Sequence, residues 1–136
     1  MNIKLVITLS MFALAMSVAT VFLIPANIEP AFWLPIFVFC AYVIARRTEH
    51  RFVNGFLLGL VNCVWITTSH ILFAGQYLAN HTAEADMMKS MPWPDSPRLM
   101  MALFGPLVGI VSGVLIGLFA VIAGKFMRSP RMVAAS

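Results

Sequence analysis

"GPLVGIVSGVLIG", residues 105–117, sets Gly105, Gly109, Gly113 and Gly117 four residues apart in an otherwise oily stretch. In water each interior glycine costs a helix about 1 kcal/mol relative to alanine, so four in register argue against a soluble helix. A bilayer changes the balance. Lipid tails are as apolar as leucine, so helices there associate by close packing, and small residues repeated every fourth position let two backbones touch. At a helical period Ala102, Gly105, Gly109, Ser112, Gly113, Gly117, Ala120 and Gly124 share one face.

The rest of the chain agrees about the solvent. It has 136 residues, 61% hydrophobic and 10% charged, against roughly 25% charged in ordinary soluble domains. Four stretches, 5–24, 31–45, 52–74 and 99–123, contain no Asp, Glu, Lys or Arg. A spanning helix needs about 20 apolar residues, which three of these satisfy. The second is short, but Arg46 and Arg47 can snorkel at one end while Trp33 anchors the other. The expected fold is an all-α integral membrane protein with four transmembrane helices in a compact antiparallel bundle. Its spans run over about 4–25, 31–46, 52–75 and 98–124, with an outer loop at 76–97, all in a single domain, 1–136.

Charge orients the bundle. Lys4, Arg46, Arg47, Arg51, Lys125, Arg128 and Arg131 fall on one side of a four-span chain, and only Lys89 and Arg98 on the other. Positive residues stay in the cytoplasm, so both termini are expected there, in a cell membrane read as a bacterial inner membrane from the small size and minimal loops. The net charge of +4 therefore reflects topology. Basic residues so few and so scattered exclude nucleic-acid binding. Ala13-Leu14-Ala15 fits a signal-peptidase site, but hydrophobicity continues unbroken to Ile24, which favours a retained helix. Cys40 and Cys63 lie within spans and read as small buried apolar residues.

Prolines punctuate the connections. The segment 25–30 is bounded by Pro25 and Pro30 and predicts a tight hairpin between spans one and two. "MPWPDSPR", residues 91–98, cannot be helical before Pro97, and Ser96–Pro97 makes a good helix start. "GQYLANHTAEADMMKS", residues 75–90, predicts a helical extension of span three or a helix along the membrane surface. Pro106 predicts a kink in span four.

Span three carries a counterpart to the opening stretch, "GFLLGLVNCVWIT", residues 55–67, matching it at six of thirteen positions. Gly55, Gly59, Asn62, Cys63, Thr67, His70 and Ala74 share its face. Helix packing is therefore assigned to Gly55, Gly59, Gly105, Gly109, Gly113, Gly117 and Gly124. Span one adds a weaker series, Ser10, Ala13, Ser17 and Thr20. A face left open within the chain would be available to a second copy or a larger membrane complex.

Polar residues within spans are functional suspects. His70 is the one ionisable side chain of its kind there, and with Asn62 and Thr67 it outlines a ligand or ion path. The bland alternative is a neutral interfacial histidine and an interhelical amide bond. Met87, Met88, Met91, Met100 and Met101 cluster within fifteen residues, with His81 nearby. Thioether and imidazole suit Cu(I), so His81, Met87, Met88 and Met91 form a speculative metal site. The competing reading is an interfacial helix with a methionine underside. Catalytic motifs are absent from the sequence, and neither catalysis nor a cofactor is expected. The leading expectation is a non-catalytic bundle assembling through its glycine faces. The alternative is a small channel or carrier built on Asn62, Thr67 and His70, and outer-face copper binding comes last.

Overall fold

The computed structural model describes residues 1–128; Arg131 of the basic tail lies outside them. The described chain forms six helices: α1 (Ile3–Phe22), α2 (Glu29–Arg47), α3 (Arg51–Leu72), α4 (Ala74–Asn80), α5 (Thr82–Lys89) and α6 (Pro97–Arg128). Four of them, α1, α2, α3 and α6, are long and apolar enough to cross a membrane. The expected outer loop is itself largely helical, holding α4 and α5, while residues 91–96 form no helix.

Local chemistry explains the boundaries. The Asn2 side chain accepts from the Leu5 amide at 3.1 Å and satisfies one of the orphan donors at the start of α1. Pro30 sits in the first turn of α2, where a missing N–H costs nothing. Arg46 and Arg47 close the same helix beside its negative dipole end. Pro35 and Pro106 lie inside α2 and α6, so the carbonyls of Ala31 and Ala102 have no helical donor. The α6 helix nevertheless runs on through Pro106 to Arg128.

Packing centres on α3. One of its faces meets α6 and another meets α1, while α2 packs chiefly on α6. The tight hairpin expected between spans one and two is therefore loose: α1 and α2 are consecutive, but each finds its main partner elsewhere. The small residues of α1 explain this choice. Ser10, Ala13, Ser17 and Thr20 are all buried. Trp65 Nε1 donates to Ser10 Oγ at 3.1 Å, and the hydroxyls of Ser17 and Ser69 bond at 3.0 Å. Such bonds inside a bilayer contribute about 1 kcal/mol each.

The α3–α6 contact is backbone against backbone. A Cβ added to Gly55 would fall 2.6 Å from Gly117 Cα, and one on Gly59 would overlap the backbone of Gly113. A turn further along α3, a Cβ on Gly109 would run into Cys63, and one on Gly105 into Thr67 Oγ1. Gly113 and Gly117 lie against Phe56 and Phe52, and Gly124 lies under the Arg51 guanidinium. The two stretches that look alike in sequence thus meet in antiparallel order, the start of one against the end of the other.

At the end carrying Arg46, Arg47 and Arg51, a core of Val6, Leu9, Cys40, Ala41, Ile44, Leu58, Ile116 and Ala120 fills the bundle. Asn54, fully buried, accepts from the Asn2 amide at 2.7 Å and donates to Thr48 Oγ1 and the His50 carbonyl. The N-terminus is therefore pinned to the start of α3, beside the last turns of α6. Outward faces remain oily: Val64, Leu107 and Val111 are exposed. In water that surface would drive association, whereas lipid tails cover it without cost.

Two glycine-to-alanine changes should act with opposite sign. Gly59→Ala has no room against Gly113 and should lower the melting temperature in detergent, at a cost of about 1–3 kcal/mol from overpacking. Gly75→Ala, with nothing within 4 Å of its Cβ position, should raise it through helix propensity, by up to about 1 kcal/mol. Circular-dichroism melts of the two variants measure both signs, and equal shifts would remove the close-packing account.

Candidate functional site: a chamber between α2, α3 and α6

Two helices that hardly touch leave a gap. Because α2 leans on α6 and makes little contact with α3, the half of the bundle away from the basic residues is not filled by side chains. The result is a cavity of about 600 Å³, within the range of small-molecule sites. From α3 come Gly59, Asn62, Cys63, Ile66, Thr67 and His70; from α6 come Met100, Met101, Phe104, Gly105, Val108, Gly109 and Ser112. Glu29, Trp33 and Phe37 of α2 form the third wall, and Tyr77 with Met87, Met88 and Met91 lies across the top. Below, the packed core begins at Leu58, next to Gly59, and at Ile116, one turn from Ser112. The space is a blind chamber.

Its polar groups are few and mostly engaged. Cys63 Sγ donates to the Gly105 carbonyl at 3.0 Å, with Thr67 Oγ1 3.7 Å away. His70 Nε2 lies 3.5 Å from Thr20 Oγ1 of α1. Asn62 differs: the residue is 4% exposed, it lines the chamber, and its Oδ1 has no hydrogen-bond partner. A buried acceptor left unmade costs about 1–3 kcal/mol.

Above it stands a stack of three rings. α3 ends at Leu72, and the chain resumes helix at Ala74 after Phe73, whose carbonyl accepts from the Tyr77 amide at 2.8 Å. The near-continuous path keeps His70, Tyr77 and His81 on one side. Tyr77 is sandwiched, 4.0 Å from the His70 ring centroid and 4.2 Å from that of His81, each pair 21° from parallel. Asn80 Nδ2 donates to the Val21 carbonyl at 2.7 Å and ties α4 to α1. Burial, reinforced by the carboxylates of Glu29 and Glu84, pushes the Tyr77 phenol above its ordinary range.

Glu29 joins the roof to α2. Its Oε1 accepts from Trp33 Nε1 at 3.0 Å, and its Oε2 lies 3.3 Å from His81 Nε2. His81 Nδ1 is 3.0 Å from the Tyr77 carbonyl, which can only accept, so that nitrogen carries a hydrogen. Nε2 makes no aligned hydrogen bond, although the His81 side chain is fully buried.

The structure brings Asn62, Thr67 and His70 to one wall of the chamber, in descending order from the roof as His70, Thr67, Asn62. It does not bring His81 to the methionines. Met87, Met88 and Met91 line the chamber, while His81 lies behind Tyr77 with Nδ1 already engaged. Among the described residues no group of three or more His, Cys, Asp or Glu side chains is arranged to hold a metal ion. Sequence reasoning missed Tyr77 and Glu29. The spacing of His70, Tyr77 and His81, seven then four residues, was a usable helical signal for the first. Nothing local marked Glu29, which arrives from another helix.

No family model matches the chain, and no curated protein or solved structure matches it.

The Tyr77 environment makes a spectroscopic prediction. In a Tyr42→Phe background, Tyr77 is the one remaining tyrosine. Its absorbance change on ionisation should come well above pH 10, the ordinary value of a free phenol. Glu29→Gln should move the transition downward by removing a nearby negative charge. A phenol whose folded value exceeds its unfolded value stabilises the fold fully below about pH 10, and that stabilisation falls as the pH rises past it. A normal titration in detergent would contradict the buried stack.

Proposed function

We propose that this chain is a non-catalytic membrane bundle that binds one small, largely apolar molecule in the chamber between α2, α3 and α6. It sits in a cell membrane with its basic end toward the cytoplasm. The observation that carries the reading is a cavity of about 600 Å³ between the helices, with the buried Asn62 in its wall. Natural interiors are close-packed, so an unfilled volume marks a place built for something else. The lining suits such an occupant: Trp33, Phe37 and Phe104 supply rigid apolar surface, and five methionines supply a wall that adapts to shape.

The blind floor favours a binding chamber over an open pore, since Leu58 and Ile116 close the bundle below it. The ligand path of Asn62, Thr67 and His70 is then one wall of that chamber. The glycines favour the same reading over assembly with a second copy. Gly55, Gly59, Gly113 and Gly117 already lie against their own chain, so the surface that assembly would use is taken.

Native mass spectrometry of the protein drawn gently from its own membrane tests the reading. The expected spectrum shows a non-covalent small molecule on the chain. Ser112→Phe, which projects a ring into the chamber, should abolish the adduct. Asn62→Leu should weaken it without lowering the melting temperature, because an unmade buried acceptor is replaced by an apolar group of similar size. A bare chain, or an adduct indifferent to Ser112→Phe, would overturn the proposal. A lower melting temperature in Asn62→Leu would instead assign the amide to helix packing.

A further inference from the structure

We infer that the chamber's ligand is an amphipathic organic monocation, held by Glu29; this rests on the chamber being a binding site. Among the described residues that line it, Glu29 is the one that carries a formal charge, and no lysine or arginine faces in. The wider surroundings lean the same way. Glu84 of α5 has a buried Oε2 with no partner. Lys89 is paired with Asp86 at 2.8 Å, and the Arg98 guanidinium donates to the Ile71 carbonyl at 3.1 Å. The rings and thioethers around the carboxylate complete a site for a soft cation, because aromatic faces attract positive charge most where water is excluded.

His81 Nδ1 donates to the Tyr77 carbonyl, so in a neutral ring the facing Nε2 is a bare acceptor. It would then confront Glu29 Oε2, also an acceptor when ionised, at 3.3 Å. A positive charge seated beside them gives both acceptors a partner. The other groups around the pair are Tyr77 of α4, Glu84 of α5 and His70 of α3. The α6 wall brings no charged side chain to the chamber, and α1 offers the Thr20 hydroxyl to His70. A cation seated on Glu29 is balanced by the carboxylate. The apolar body then lies along Phe104 and the methionines.

Two ions of the same shape and opposite charge test this. The full chain in amphipol is dialysed at neutral pH against tetraphenylphosphonium or tetraphenylborate. The expected result is cation retention about tenfold or more tighter than the anion, the scale of a charge-assisted contact. Glu29→Gln should lose that preference. His81→Gln, which keeps the carboxylate, should keep the cation; it serves where Glu29→Gln fails to fold. Equal retention of both ions, both removed by Ser112→Phe, would overturn the cation inference and leave the chamber standing. Retention untouched by Ser112→Phe, or no retention of either ion, would overturn the cation inference as well. In the first of those cases the chamber falls with it, and in the second the native adduct decides the chamber separately.

Discussion

The approach of α3 to α6 through bare backbone governs the rest of the molecule. Where Gly59 faces Gly113 and Gly55 faces Gly117, no side chain separates the two helices. A bilayer offers little hydrophobic drive to join apolar helices, so the stabilisation comes from contact density, which backbone contact maximises. That closeness makes a rigid pair. The other two long helices then attach to its outsides, α1 on α3 and α2 on α6.

The chamber is a consequence of that order. If α2 packed equally on both members of the pair, its side chains would fill the groove between them. It packs on α6 instead, and toward the basic end the groove is closed by Cys40, Ala41 and Ile44 against Leu58 and Ile116. Toward the other end it opens, and there α4 and α5 pass over it. The small residues serve twice: Gly59, Gly105 and Gly109 bring the helices together and also leave the wall of the cavity smooth.

Polar chemistry is concentrated at the top of that space, with Thr67, Cys63 and Asn62 lower on the α3 wall. The ring stack of His70, Tyr77 and His81, with Glu29 across from it, concentrates titratable groups where the chain leaves its long helices. The outward faces of the long helices, by contrast, are oily. Fold and site thus share a division of labour between a packed basic half and an open half with a polar lid.

Much of this was legible in the residues alone. Hydropathy marked the four long helices, because a bilayer demands about 20 apolar residues from each. The four-residue spacing of glycine marked the contact faces, since a helix returns to the same side nearly every fourth residue. Proline at 97 marked the start of α6. What the sequence could not say was which neighbour each face would choose. Small-residue faces on three helices are chemically alike, and only the three-dimensional arrangement set α6 and α1 on different faces of α3 and drew α2 to α6. The same holds for the site. Asn62 and His70 were visible as polar residues in oily helices, but a cavity is an absence of atoms and has no sequence of its own. Glu29 and His81, 52 positions apart, became partners at 3.3 Å only when tertiary packing swung α4 across to α2.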